Sequence, residues 1–181
     1  MNKMSVLKRA LICAVCIALC TVLPMAFHAV ENAGSIFLPM HIPGLLCGLV
    51  CGWPCGLLCG LAGPLFSSLI TMMPPMAYLP SMMIELAVYG LVSGLLMQLV
   101  RTRRIYADLY ISLVGALLAG RIVAGLCRAL IFAAGQYSMA AWVSSYFVTC
   151  LPGLAIQIIL LPSIVFALER AHLIPRRYPA E

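Results

Sequence analysis

Leu38-Pro39-Met40-His41-Ile42-Pro43 opens a stretch that runs on to Glu85-Leu86-Ala87-Val88-Tyr89-Gly90, with no charged residue between Pro43 and Glu85. Inside it Gly44, Gly48, Gly52, Gly56 and Gly60 recur at every fourth position, so a helix would line them along one face. Pro64, the small polar residues Ser67, Ser68 and Thr71, and Met73-Pro74-Pro75 complete it. An apolar run of this length reads as membrane-embedded, and small residues at that spacing let helices approach closely. As a single helix, Ile42–Ile70 would be about 43 Å long against a hydrocarbon core of about 30 Å. Gly52-Trp53-Pro54 is a turn signal. It divides the run into one helix over 36–52 and another over 55–72.

The rest of the chain extends this pattern. Of 181 residues 64% are hydrophobic and 9% charged, with a mean hydropathy of +1.10. A soluble domain carries about 25% charged residues, so an integral membrane protein is indicated. Further apolar runs cover 10–27, 81–100, 109–133 and 143–168. The expected fold is all-α: six transmembrane helices in one compact bundle over 1–181, without room for a soluble catalytic domain. Of the eleven basic residues, nine flank these runs: Lys3, Lys8, Arg9, Arg101, Arg103, Arg104, Arg170, Arg176 and Arg177. Six crossings with both termini in the cytoplasm put all nine inside, as the positive-inside rule requires. Without the break at Gly52, Arg101, Arg103 and Arg104 would lie outside. The net charge of +6 thus reflects the lipid bilayer as surroundings, and no nucleic acid partner is expected.

Asn2–Arg9 is a basic head and Ala10–Phe27 an apolar run. No small-x-small cleavage site follows cleanly and the apolar run is long, so it reads as a retained first helix. Ala10, Ala14 and Ala18 share a face of it, either as helix filler or as a docking face for a partner helix. Cys47, Cys51, Cys55 and Cys59 also follow a four-residue spacing and read as small packing residues. Cys13-x-x-Cys16 has zinc-like spacing, but no second ligand pair accompanies it and no metal centre is expected.

Three charges remain inside the spans: Glu85 in the fourth, Arg121 and Arg128 in the fifth. Each costs about 2.5–3.5 kcal/mol at helix-centre depth, which makes it a functional candidate. Ser81, Glu85, Tyr89 and Ser93 form a polar stripe on the fourth span. Tyr146, Thr149, Gly153 and Gln157 lie on roughly one side of the sixth. Outside loops add His28, Glu31, Asn32, His41, Tyr78, Gln136 and Tyr137. The spacing places Glu85 at the depth of Arg128, with Arg121 one layer deeper. Glu85 and Arg128 read either as an internal ion pair or as part of a site for a small polar ligand. Two arginines against one glutamate leave positive charge that a carboxylate or phosphate would balance. The expected ligand residues are Arg128, Glu85, Tyr89, Arg121, His41, Asn32, Tyr146 and Gln157. The chain has no G-x-x-x-x-G-K-[ST], H-E-x-x-H or G-x-S-x-G motif, so neither ATP binding of that kind nor these hydrolytic chemistries are indicated.

The stretch resembles the substrate-binding S components of energy-coupling factor vitamin transporters. Leu38-Pro39-Met40-His41-Ile42-Pro43, Gly48, Gly52, Gly56, Pro64-Leu65-Phe66-Ser67-Ser68, Met73-Pro74-Pro75, Met83 and Glu85-Leu86-Ala87-Val88-Tyr89-Gly90-Leu91-Val92-Ser93-Gly94 carry the resemblance. Ala10-x-x-x-Ala14 is similar to the alanine motif with which S components dock on a transmembrane T component. The resemblance implies a non-enzymatic subunit of a bacterial plasma membrane importer that holds no cofactor. Such a subunit captures a vitamin or vitamin precursor from outside and delivers it through a T component driven by two ATP-binding subunits. A self-sufficient secondary transporter or channel for a small organic anion is the alternative, and internal inverted repeats would favour it. No such repeat is seen, and no signature specifies the vitamin.

Overall fold

A computed structural model describes residues 4–26, 33–132 and 138–178. His28, Glu31, Asn32, Gln136 and Tyr137 lie outside the described residues. All regular structure described is helical: α1 Val6–Ala26, α2 Ala33–Phe37, α3 His41–Cys51, α4 Trp53–Thr71, α5 Leu79–Leu99, α6 Ile105–Cys127, α7 Met139–Val143 and α8 Leu151–Arg170. Two π-helical turns, Arg128–Phe132 and Ser144–Val148, continue α6 and α7. Five of the helices, α1, α4, α5, α6 and α8, are long and apolar enough to cross a membrane.

The break at Gly52 is present. Gly52 has φ +89°, a left-handed conformation that costs glycine little. Its N–H still closes α3 on the Gly48 carbonyl at 3.0 Å, and Gly56 N–H starts α4 on the Gly52 carbonyl at 3.1 Å. Pro54 sits in the first turn of α4, and Pro80 and Pro152 in the first turns of α5 and α8. Their missing N–H groups would be unpaired there in any case.

Two expected helices differ. The helix placed over 36–52 starts only at His41, because Leu38 has φ 51° and ends α2. Leu38 precedes Pro39, whose ring disfavours the right-handed helical conformation at the residue before it. The remaining α3 has 11 residues, about 16 Å at 1.5 Å per residue, so it is too short to cross a bilayer core alone. The helix placed over 143–168 is broken at Thr149-Cys150, between the second π-helical turn and α8.

The centre of the bundle is packed backbone to backbone. A Cβ at Gly56 would strike the Gly90 carbonyl, and one at Gly90 would strike the Gly56 carbonyl. This is how the glycine ladder brings α4 against α5 without hydrophobic side chains between them. On the other side of α4 the cysteines pack together. Cys13, Cys16 and Cys20 of α1, Cys47 and Cys51 of α3 and Cys59 of α4 are buried in one cluster, and all nine cysteines are free thiols. Since α1 turns its cysteines inward, Ala10, Ala14 and Ala18 lie exposed.

One end of the bundle collects the basic segments. Cys51 Sγ is 3.9 Å from the Arg9 carbonyl oxygen. Arg177 donates to Asp108 Oδ2 at 2.7 Å and to the Val100 carbonyl at 2.5 Å. Thr102 N–H donates to Asp108 Oδ1 at 2.8 Å. The starts of α1 and α6, the ends of α3 and α5 and the C-terminal tail therefore meet there. His41, Glu85 and Arg121 belong to the other half, toward the starts of α3 and α5.

Candidate functional site

The α5 stripe faces inward: Ser81, Glu85, Tyr89 and Ser93 are all buried, as a four-residue spacing on a helix requires. Tyr89 Oη donates to Glu85 Oε1 at 2.8 Å. From the start of α3, His41 brings Nε2 to 3.6 Å from the same carboxylate oxygen. Its ring centroid is 5.4 Å from that of Tyr89. The Tyr89 ring lies against Gly120 of α6, where any side chain would collide with it.

The next residue on α6, Arg121, therefore lies level with Tyr89. Arg121 is only 2% exposed. Its Nη1 donates to Cys150 Sγ at 2.9 Å, and its guanidinium lies 5.6 Å from the Phe147 ring centroid. The Cys150 thiol donates to the Tyr146 carbonyl at 2.8 Å, and Trp142 Nε1 donates to the Arg121 carbonyl at 3.3 Å. On α8, Gln157 Nε2 donates to the Leu38 carbonyl at 3.4 Å. The same carbonyl accepts the His41 N–H at 3.1 Å. Contacts thus link Gln157, Leu38, His41, Glu85 and Tyr89. Tyr89 packs on Gly120, and the adjoining Arg121 reaches Cys150 at the head of α8, the helix that carries Gln157, which closes a circuit.

Four buried polar atoms along this circuit have no hydrogen-bond partner: His41 Nδ1 and Nε2, Arg121 Nε and Gln157 Oε1. A buried polar group left unpaired costs about 1–3 kcal/mol, and native structures carry few of them. Among the described residues no carboxylate lies within ion-pair distance of Arg121. The circuit therefore presents a guanidinium edge, an imidazole and an amide oxygen from three different helices. These groups would hydrogen-bond a small polar molecule. Among the described residues no three His, Cys, Asp or Glu side chains are arranged to hold a metal ion.

The other residues singled out from the sequence are placed as follows. Arg128 is half-buried, with its guanidinium 5.1 Å from the Tyr78 ring centroid. α5 and α6 run antiparallel. Tyr89 meets Gly120 and Tyr78 meets Arg128, so Arg128 lies near the start of α5, about 10 Å along the helix from Glu85. Arg121, not Arg128, is the arginine level with Tyr89. Tyr146 is buried and Thr149 exposed. The π-helical turn over Ser144–Val148 shifts the phase between them, and Cys150 takes the inward position instead. Cys150, Trp142 and Phe147 were not marked by the sequence, because none carries a charge or a motif spacing. An apolar groove beside the site is lined by Ile122, Leu126, Ala129, Met139 and Trp142. Apart from Ser138 it offers little to a polar molecule, which leaves the buried circuit as the candidate site.

Long apolar helices around a buried polar circuit are the build of a multi-pass membrane protein. A family model for the substrate-specific component of ECF transporters matches residues 8–167, and the chain belongs to that family. It is a substrate-binding subunit of an ECF transporter and not an enzyme. No curated protein and no solved structure matches the chain.

Proposed function

We propose that this subunit captures a vitamin or vitamin precursor from outside a bacterial plasma membrane and passes it inward through a transmembrane T component driven by two ATP-binding subunits. The family supports the division of labour, and the absence of an ATP-binding motif in the chain is consistent with it. The observation that supports the site is Arg121, buried among apolar helices with Nε unpaired and, among the described residues, no carboxylate within ion-pair distance. A charge held there at a cost of about 2.5–3.5 kcal/mol is expected to serve a ligand. The ligand contacts are assigned to Arg121, Glu85, Tyr89, His41, Tyr146 and Gln157. Arg128 sits beside Tyr78 near the start of α5, and Asn32, expected as a further ligand residue, lies outside the described residues.

In this reading the chain crosses the membrane six times, α3 completing the second crossing with the residues before it, and both termini are cytoplasmic. The exposed Ala10, Ala14 and Ala18 face docks the T component, since small side chains permit close helix approach. The test is purification of the tagged chain from its own cells in mild detergent. T and ATPase subunits should accompany it, and the isolated subunit should retain a small molecule. Recovery of the chain alone, with active uptake by that chain in vesicles without ATP, would refute the reading.

A further inference from the structure

We infer that the substrate is dipolar, with an anionic group bound at Arg121 and an N–H donor or cationic group bound at the Glu85–Gln157 side. This deepens the reading above and rests on it. The site is not uniformly positive. Its α6 side offers donors only: Arg121 Nε is unpaired, and Nη1 is engaged merely by the Cys150 sulfur, a weak acceptor. A guanidinium so placed is completed by a carboxylate or phosphate oxygen.

The α5 and α8 side offers acceptors. Gln157 is fully buried and uses its amide nitrogen on the Leu38 carbonyl, which turns Oε1 into an unpaired acceptor. Glu85 is buried, and among the described residues its carboxylate meets one hydroxyl donor, Tyr89, with His41 at 3.6 Å. His41 lies between the two sides with both ring nitrogens unpaired, able to donate from one and accept on the other. A purely anionic molecule would satisfy Arg121 but bring no donor to Gln157 Oε1 and set a second negative charge against Glu85. A purely cationic one would leave Arg121 unpaired. A molecule with both groups satisfies both sides.

The experiment starts from the subunit purified in detergent after growth in rich medium. Denaturation releases the retained compound, which is identified by accurate mass, ionisation in both polarities and deuterium exchange, with a control membrane protein subtracted. Its acid is then methylated, and the acid and the methyl ester are titrated calorimetrically into ligand-free wild type, Arg121→Gln and Arg121→Lys. The released compound should carry an acidic group and at least one N–H donor. Esterification should weaken wild-type binding about tenfold or more, the loss of one charge-assisted bond. In Arg121→Gln, acid and ester should bind within about threefold of each other, because the coupled partner is gone. Arg121→Lys keeps the charge without the fork and should retain part of the discrimination. Should Arg121→Gln fail to fold, the lysine variant carries the comparison, and full discrimination by it overturns the pairing with a fork. A released compound lacking either group, or equal discrimination by wild type and Arg121→Gln, overturns the inference and leaves substrate capture standing. If no compound is retained at all, substrate capture itself is contradicted.

Discussion

Tyr89→Phe removes a single oxygen from the most enclosed part of the site. Tyr89 is fully buried, its ring rests on Gly120, and its hydroxyl donates to Glu85 at 2.8 Å. Phenylalanine keeps the ring and its packing, so the change isolates the hydrogen bond. A bond to a charged group is worth about 1.5–3 kcal/mol. For a chain of this size each kcal/mol moves the melting temperature by roughly 2–4 °C, so the variant should melt roughly 3–12 °C below wild type. Part of the loss is the cost of removing the hydroxyl donor from Glu85, which keeps His41 at 3.6 Å. Glu85→Gln alone should also destabilise, and the double variant should lose less than the sum of the two, by about 1 kcal/mol or more, because the residues touch. Thermal unfolding of the ligand-free subunit in detergent measures all four corners of the cycle. Additive losses, or a Tyr89→Phe variant that melts with wild type, would show that this bond does not hold the site together.

Gly90→Leu should prevent α4 and α5 from meeting, since even a Cβ there strikes the Gly56 carbonyl. Overpacking of this kind costs about 1–3 kcal/mol or more, and size-exclusion profiles and unfolding curves should show a loosened or aggregated subunit. Ala14→Trp alters only an exposed face. It should abolish co-purification of the T component while ligand affinity stays within about twofold, and intact assembly would reduce the alanine face to filler. A cysteine at Thr102 in a cysteine-free background should react with a membrane-impermeant maleimide only after the cell is opened, as expected of a cytoplasmic loop. Labelling from outside would reverse the proposed orientation.

The helical class was legible from composition and the lengths of the apolar runs, and the break at Gly52 from one tripeptide, because only glycine adopts its backbone conformation without strain. The inward stripe of Glu85 and Tyr89 followed from the four-residue period, which a continuous helix preserves. Where the helix is not continuous the period misled. The π-helical turn over Ser144–Val148 turned Thr149 outward and Cys150 inward. The conformation of Leu38 shortened the helix that was placed over 36–52. Which of Arg121 and Arg128 lies level with the stripe on α5 depends on how α6 registers against α5. That register is set by the fit of the Tyr89 ring to Gly120, a contact between residues 31 positions apart that no local pattern encodes. Asp108 escaped notice for a similar reason, since its partners Arg177 and Tyr178 come from the far end of the chain.

The most direct test of the account compares the two arginines by calorimetric titration of the retained compound into Arg121→Gln and Arg128→Ala, each checked for wild-type unfolding. Arg121 is buried in the circuit and Arg128 stands at Tyr78 near the start of α5. Loss of the Arg121 contact should weaken binding by about 1.5–3 kcal/mol, or roughly tenfold to hundredfold. Loss of Arg128 should cost clearly less. Unchanged affinity in a folded Arg121→Gln, or a larger loss in Arg128→Ala, would contradict the placement of the substrate site in this circuit.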